Sequence, residues 1–305
     1  MKERKRRILS ELGLLITAII WGSGFVASSI SLEYYTPYQV LFGRFLIGSL
    51  ILTLVFMKRL KRIRKSTLGK GVVLGIFLYG AFALQTIGLQ YTTPSKNAFL
   101  TAVNVIIVPF ISFVIYKRRF DRFEVMGAVL AMMGVGAISL QISGGVNLGD
   151  VLTLCCAVLF AFQIFYTSLF VEHEDPVLLT LIQMVTATFL GLVLLLFQGQ
   201  VAIPMEREAL LSLFYLGIFS TTLAFLIQTV AQKYTTETKT AIILSTEAFF
   251  GMMLSVIILH EVMTLRMVLG GVLIFLAIIT SETKLKFLKR SGDTQDTKSK
   301  ETVIP

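Results

Sequence analysis

The sequence predicts an all-α integral membrane protein with ten transmembrane helices, arranged as two inverted five-helix repeats. Three observations lead there. Hydrophobic residues make up 55% of the 305 residues, charged residues only 15%, and the mean hydropathy is +0.80, whereas a soluble domain carries about 25% charge. The charges fall in short clusters between long apolar runs. The chain also repeats itself at an offset of 143 residues, from Tyr91 to Tyr234.

Composition excludes several classes at once. Cytosolic, secreted and nuclear proteins do not carry this apolar share. An outer-membrane barrel would show alternating segments of about ten residues instead of long apolar runs. The net charge of +10 does not indicate nucleic acid, because the basic residues flank apolar spans and form no continuous patch. Cys155 and Cys156 are adjacent within an apolar run, where they read as small packing residues and not as a disulfide.

A helix needs about 20 apolar residues to cross the hydrocarbon core. Ten segments qualify: 9–29, 38–57, 69–90, 96–116, 122–141, 149–170, 177–197, 209–231, 238–259 and 265–283. They divide the chain into a basic N-terminus (1–8), a first five-helix repeat (9–141), a second (149–283) and a tail (284–305) whose polar composition reads as disordered. The first span follows MKERKRR, yet its apolar run is too long for a signal peptide and no small-residue cleavage site follows; it is expected to be retained.

Loop charge sets the expected orientation. With the N-terminus inside, 24 of the 28 lysines and arginines fall in cytoplasmic segments. The opposite loops hold only Lys96, Arg207 and Arg266, and Arg44 lies within a span. Both termini are therefore placed in the cytoplasm of a plasma-membrane protein. The loop after the sixth span, EHEDP, carries no basic residue where this orientation calls for one.

YTTPSKNA at Tyr91 and YTTETKTA at Tyr234 anchor the internal repeat. At the same offset Gln85 falls on Gln228, Phe82 on Phe225, Asn104 on Glu247 and Gly127 on Gly270. The start of each half aligns at an offset of 139, with Pro37 on Pro176, Arg44 on Gln183 and Trp21 on Phe160. Five spans is an odd number, so the second half enters the membrane upside down. Inverted repeats are the architecture of secondary transporters, with the site near the midplane.

Further motifs accompany the repeat: WGSGF at Trp21–Phe25, GRF at Gly43–Phe45, ALQTIGLQYT closing the third span, SKNAFLTAVNVIIVPF in the fourth and STEAFFGMMLSVIILHE in the ninth. In this order across both halves, roughly residues 9–283, the chain resembles the EamA-type permeases of the drug/metabolite transporter superfamily. The resemblance implies a small-solute permease of the plasma membrane, often an exporter of amino acids or other metabolites. Many relatives carry Glu-Pro in the ninth span, whereas Glu247 here is followed by Ala248. That departure removes the proline that would kink the span there, while Pro109 could supply a kink in the fourth span.

Charges inside a membrane cost about 2.5–3.5 kcal/mol on insertion scales, so each needs a reason. Arg44 lies two turns into the second span: an anchor for a carboxylate or phosphate, or a structural cation satisfied by carbonyls. Glu247 lies mid-span: a partner for a substrate ammonium group, a proton carrier, or an interhelical hydrogen bond. Asn97, Thr101 and Asn104 share one helical face, as do Thr240, Leu244 and Glu247 in the repeat. Gln85, Gln228, Gln163, Tyr166 and Gln183 add polar groups that either line a central cavity or glue helices together. Trp21, Tyr79 and Phe82 form either an aromatic wall or packing. The expected solute contacts are therefore Arg44, Glu247, Asn104, Gln85, Gln228, Gln163, Trp21 and Tyr79.

Gly127, Ala131, Gly134, Gly270 and Gly271 suit close helix packing. His173 and His260 have no partner at metal-ligand spacing, there is no Walker sequence, and no Ser–His–Asp or Cys–His set is evident. No metal, cofactor or catalysis is expected. The partners expected are a small-molecule solute and membrane lipid, with protons as a candidate coupling ion, in a monomer or homodimer. Competing readings are a membrane enzyme acting on lipids, for which the EHED loop is the only acidic cluster, and a sensor without net transport, which would need an output domain.

Overall fold

The structure, a computed structural model, describes residues 2–117, 122–139, 147–200 and 204–283. The expected disordered tail, 284–305, lies outside the described residues. Among them there is helix but no strand, as a chain in lipid requires when every backbone group must be satisfied internally.

The first repeat contains α1 (Lys2–Leu32), α2 (Pro37–Val55), a short α3 (Met57–Leu60), α4 (Lys65–Leu89), a broken span formed by α5 (Pro94–Thr101) and α6 (Asn104–Tyr116), and α7 (Arg122–Ser139). The second contains α8 (Leu148–Val171), α9 (Pro176–Phe197), a span made of α10 (Arg207–Tyr215), a π-helical segment (Leu216–Leu223) and α11 (Ala224–Gln232), a second broken span of α12 (Glu237–Ser245) and α13 (Glu247–Leu259), and α14 (Leu265–Thr283). Eight of these stretches are long and apolar enough to cross a membrane. α7 and α14, the fifth and tenth expected spans, pack against each other. Their approach is close, since a Cβ on Gly134 would stand 2.8 Å from the Gly270 carbonyl oxygen.

The first helix differs from expectation at its start. Part of the basic N-terminus is already helical, because α1 begins at Lys2, and an i,i+4 pair between Arg7 and Glu11 at 3.0 Å supports that extension. Elsewhere local chemistry marks the helix starts. Thr36 and Asp175 cap α2 and α9 with their own side chains, each ahead of a proline at the first helical position. These caps fall on each other at the offset of 139.

The repeat extends to backbone detail. Thr93 and Thr236 both cap by accepting from a lysine amide three residues on. Val103 and Thr246 both interrupt a span, with φ/ψ of −60°/−19° and −63°/−12°. Lys117 and His260 both end the second segment in the left-handed region, at φ 52° and 53°. Each pair is separated by 143 residues. The breaks are tight turns with i→i−3 bonds, such as Val105 N to Ala102 O at 3.2 Å and Phe249 N to Thr246 O at 3.1 Å. In the ninth span the Ser245 and Thr246 hydroxyls donate to the Ile242 and Ile243 carbonyls at 2.7 and 2.6 Å. Hydroxyls bonding back in this way bend a helix, so the break forms without a proline.

The acidic loop that lacks basic residues finds its counter-charges in space. Glu174 accepts from Ser66 Oγ at 2.7 Å, Thr67 Oγ1 at 2.5 Å and Lys70 Nζ at 2.8 Å. Asp175 pairs with Arg59 at 3.1 Å. The loops after the second and sixth spans are thus docked at one end of the bundle. At the other end Lys96 pairs with the fully buried Asp150 at 2.9 Å. Large apolar side chains such as Phe197 and Phe189 are exposed on the perimeter, while Arg44, Gln163, Gln183, Gln228 and Glu247 are buried inside. That inversion suits a lipid surround. Cys156 is buried and its neighbour Cys155 is exposed, as adjacent positions on a helix would be.

Candidate functional site

The buried polar residues converge on a cavity between the two repeats. Trp21, Gly24, Phe25 and Ser28 line it from α1, with Arg44 from α2. Phe82, Gln85, Thr86 and Leu89 come from α4 and Asn104 from α6. The second repeat supplies Phe160, Gln163 and Ile164 from α8, Ser220 from the π segment, Leu244 from α12 and Glu247 from α13. The lining on α1 and α4 lies in their C-terminal halves, so the cavity is displaced towards the end of the bundle that holds loops 33–36 and 90–93.

Arg44 is 1% exposed. Its Nε donates to Thr221 Oγ1 at 2.9 Å and its Nη2 to Ser220 Oγ at 3.2 Å. The guanidinium carbon lies 4.1 Å from the Phe82 ring centroid, a cation–π contact. Phe82 is held edge-on by Phe45, Phe160 and Phe225 at 5.6, 5.2 and 5.7 Å. Among the described residues, all of Arg44's partners are thus neutral.

The π segment makes this arrangement. Thr222 Oγ1 donates to the Gly217 carbonyl five residues back, at 2.7 Å. The Ser220 carbonyl accepts from Trp21 Nε1 at 2.9 Å, and the neighbouring Ser220 and Thr221 hydroxyls both reach Arg44. π turns recur at functional sites. Gly24 makes room: a Cβ there would stand 2.7 Å from Ser220 Oγ.

Glu247 is 5% exposed and begins α13, just after the break. Asn104 holds the matching place at the start of α6. A carboxylate at a helix N-terminus is favoured by the helix dipole. The Glu247 carboxyl forms no hydrogen bond or ion pair with the described residues, and the Asn104 Oδ1 has no partner either.

Other expected contacts stand behind the lining. Gln163 reaches the cavity, but Gln183 and Gln228 form a fully buried layer with it. Gln163 Nε2 donates to Gln183 Oε1, and Gln228 Nε2 donates to Gln163 Oε1, both at 3.3 Å. Tyr79 packs on Phe45 with centroids 6.1 Å apart and does not line the cavity. Asn97 and Thr101 tie α5 to its neighbours: Asn97 Nδ2 donates to the Gln85 carbonyl at 3.1 Å and Thr153 Oγ1 at 3.0 Å, and Gln85 Nε2 donates to Thr101 Oγ1 at 3.1 Å. The break after Thr101 separates Asn104 from that structural face. Tyr166 belongs to an aromatic stack with Phe77 and Phe162.

Ser220 and Thr221 were not singled out from the sequence. The consecutive hydroxyls STT inside an apolar span are the signal that could have found them. The repeat is silent there, because Phe77 occupies the position matching Ser220. Among the described residues no cluster of three or more His, Cys, Asp or Glu could hold a metal ion.

The sequence profile of the EamA-like transporter family matches residues 8–140 and 147–282. An uncharacterized transporter of Archaeoglobus fulgidus is 32% identical over 277 residues, covering 91% of this chain and 87% of that protein. The uncharacterized transporter YoaV of Bacillus subtilis is 23% identical, covering 86% and 93%. A crystal structure of a protein with 15% identity superposes with a TM-score of 0.68, covering 92% of this chain and 98% of that one; it shares the fold.

Proposed function

The chain belongs to the EamA-like transporter family, and from that premise we propose that it is a ten-span secondary permease of the plasma membrane that exports small amphoteric metabolites such as amino acids. Membership and the transporter-named relatives point to a multi-pass membrane transporter and not to an enzyme. The finer reading rests on one observation: an unpaired cation and an unpaired carboxyl, Arg44 and Glu247, line one buried cavity built by both repeats.

A buried charge without a counter-ion is costly. An amphoteric solute would supply both, its carboxylate on Arg44 and its ammonium group on Glu247. Planar Arg is suited to a carboxylate. In this reading Asn104, Gln85 and Gln163 are polar contacts and Trp21 is a wall, while Tyr79 and Gln228 support the lining from behind. The inverted repeats alternate access by rocking around the site, with both termini cytoplasmic. Glu247 is also the group on which coupling to protons would act.

The test is solute counterflow in liposomes reconstituted with purified protein, across amino acids, carboxylates lacking an amine and amines lacking a carboxylate. Saturable exchange of amino acids alone supports the proposal. Exchange confined to simple carboxylates or amines would reassign the solute class, and no exchange of any of them would sink it.

A further inference from the structure

A trough runs along the outer surface between α1 and α11, at the end of the bundle that carries the basic N-terminus. Its shape follows from side-chain size. Ser10 and Gly13 on α1 leave space opposite Ala231, and Leu9, Ile227 and Val230 wall it with aliphatic surface. At Gly13 the helices touch, since a Cβ there would stand 2.9 Å from Ile227 Cγ2. From that point towards Arg6 and Tyr234 the trough is open. At 1.5 Å per residue, Arg6 to Gly13 spans about 10 Å, enough for the upper part of an acyl chain.

The mouth is cationic. The Arg6 guanidinium lies 5.8 Å from the Tyr234 ring centroid, and Tyr234 is 40% exposed, as an aromatic at a membrane interface would be. Arg6 makes no hydrogen bond or ion pair with the described residues. The nearby Glu11 carboxylate is already shared by Arg7 and Lys239.

We propose that this trough is a binding site for an anionic glycerophospholipid, with one acyl chain along α1 and α11 and the headgroup phosphate on Arg6. An apolar slot ending at an unpaired guanidinium matches that amphiphile, because Arg binds phosphate through two parallel hydrogen bonds and basic pockets between membrane helices recognise anionic headgroups. A zwitterionic lipid would fill the slot equally but carry a compensating cation at the mouth. The lipid would touch both helices that meet again deeper in, where Thr17 Oγ1 donates to the Ala224 carbonyl at 3.4 Å and Trp21 donates to Ser220, at the wall of the cavity.

Native mass spectrometry of the detergent-purified protein, titrated with phosphatidylglycerol and phosphatidylcholine of matched chains, tests this. Phosphatidylglycerol should be retained more tightly, and Arg6→Gln, on an exposed residue, should weaken it about fivefold. Arg4→Gln should leave retention unchanged. Ser10→Leu, which fills the slot without altering charge, should weaken both lipids. Equal retention of the two lipids would overturn the proposal. So would an equal effect of Arg4→Gln and Arg6→Gln, which would assign the preference to the basic N-terminus as a whole.

Discussion

Arg44 and Glu247 face one cavity from opposite repeats and do not pair, with no nitrogen–oxygen approach of 4.0 Å or less between them. Each is therefore available to a ligand. Losing a hydrogen bond to a charged group costs about 1.5–3 kcal/mol, which is roughly 10- to 150-fold in affinity. Glu247→Gln keeps shape and removes charge. It should weaken binding of an amino acid by about that factor and leave an analogue without the amine nearly unaffected. Isothermal titration with both ligands checks this; equal losses would remove Glu247 from ammonium recognition.

The docked loops make a second prediction. Hydrogen bonds from Lys70, Thr67 and Ser66 hold the Glu174 carboxyl at about 2, down from 4.5. A depressed carboxyl stabilises the fold at pH values above its unfolded value, and the contribution disappears as pH falls from 4.5 through about 2. Glu174→Gln should therefore lower the melting temperature at neutral pH, by the equivalent of about 1.5–3 kcal/mol. The gap between wild type and variant should close on acidification across that window. A gap independent of pH would show that the carboxylate charge is not what docks the loop.

The glutamine layer gives a third. Interhelical hydrogen bonds in membranes average about 0.6 kcal/mol and reach about 1.7. A double-mutant cycle between Gln163→Leu and Gln183→Leu should return a coupling in that range. Gln183→Leu alone should cost more than the pair requires, because it strands the Gln163 amide. Additive effects in the unfolding assay would mean that the bond at 3.3 Å contributes nothing.

The repeat was legible in the sequence because the two halves preserve caps and breaks: Thr93 and Thr236, Val103 and Thr246, and Lys117 and His260 keep one backbone programme. Arg44, Gln85, Asn104, Gln163 and Glu247 were legible because polarity inside an apolar span demands a purpose. What stayed hidden depended on backbone geometry. The break after Thr101 turns Asn97 and Thr101 to structural bonding, although all three polar residues share one ideal helical face. The π segment brings Ser220 and Thr221 to Arg44, and hydropathy carries no record of helix type. Gln228 and Gln85 align in the repeat, yet only Gln85 lines the cavity, since alignment gives depth in the membrane and not which neighbour a side chain meets.

The role of Arg44 can be separated from mere structure by the direction of a stability change. Its partners are two neutral hydroxyls and the face of Phe82, with no carboxylate to be left stranded on its removal. Replacing a buried charge with an apolar side chain of similar volume is often neutral or stabilising. Arg44→Met should therefore leave the melting temperature of the solute-free protein unchanged or raise it. The same variant should lose the rise in melting temperature that a bound solute gives by mass action, about 2.7 kcal/mol at a hundredfold excess over the dissociation constant. Ser220→Ala with Thr221→Val should have the opposite profile, lowering solute-free stability because Arg44 then stays buried without a hydrogen-bond acceptor. If Arg44→Met instead destabilised the solute-free protein by several kcal/mol, the guanidinium would be a structural strut between α2 and the π segment, and the carboxylate anchor would have to be sought among the other lining residues.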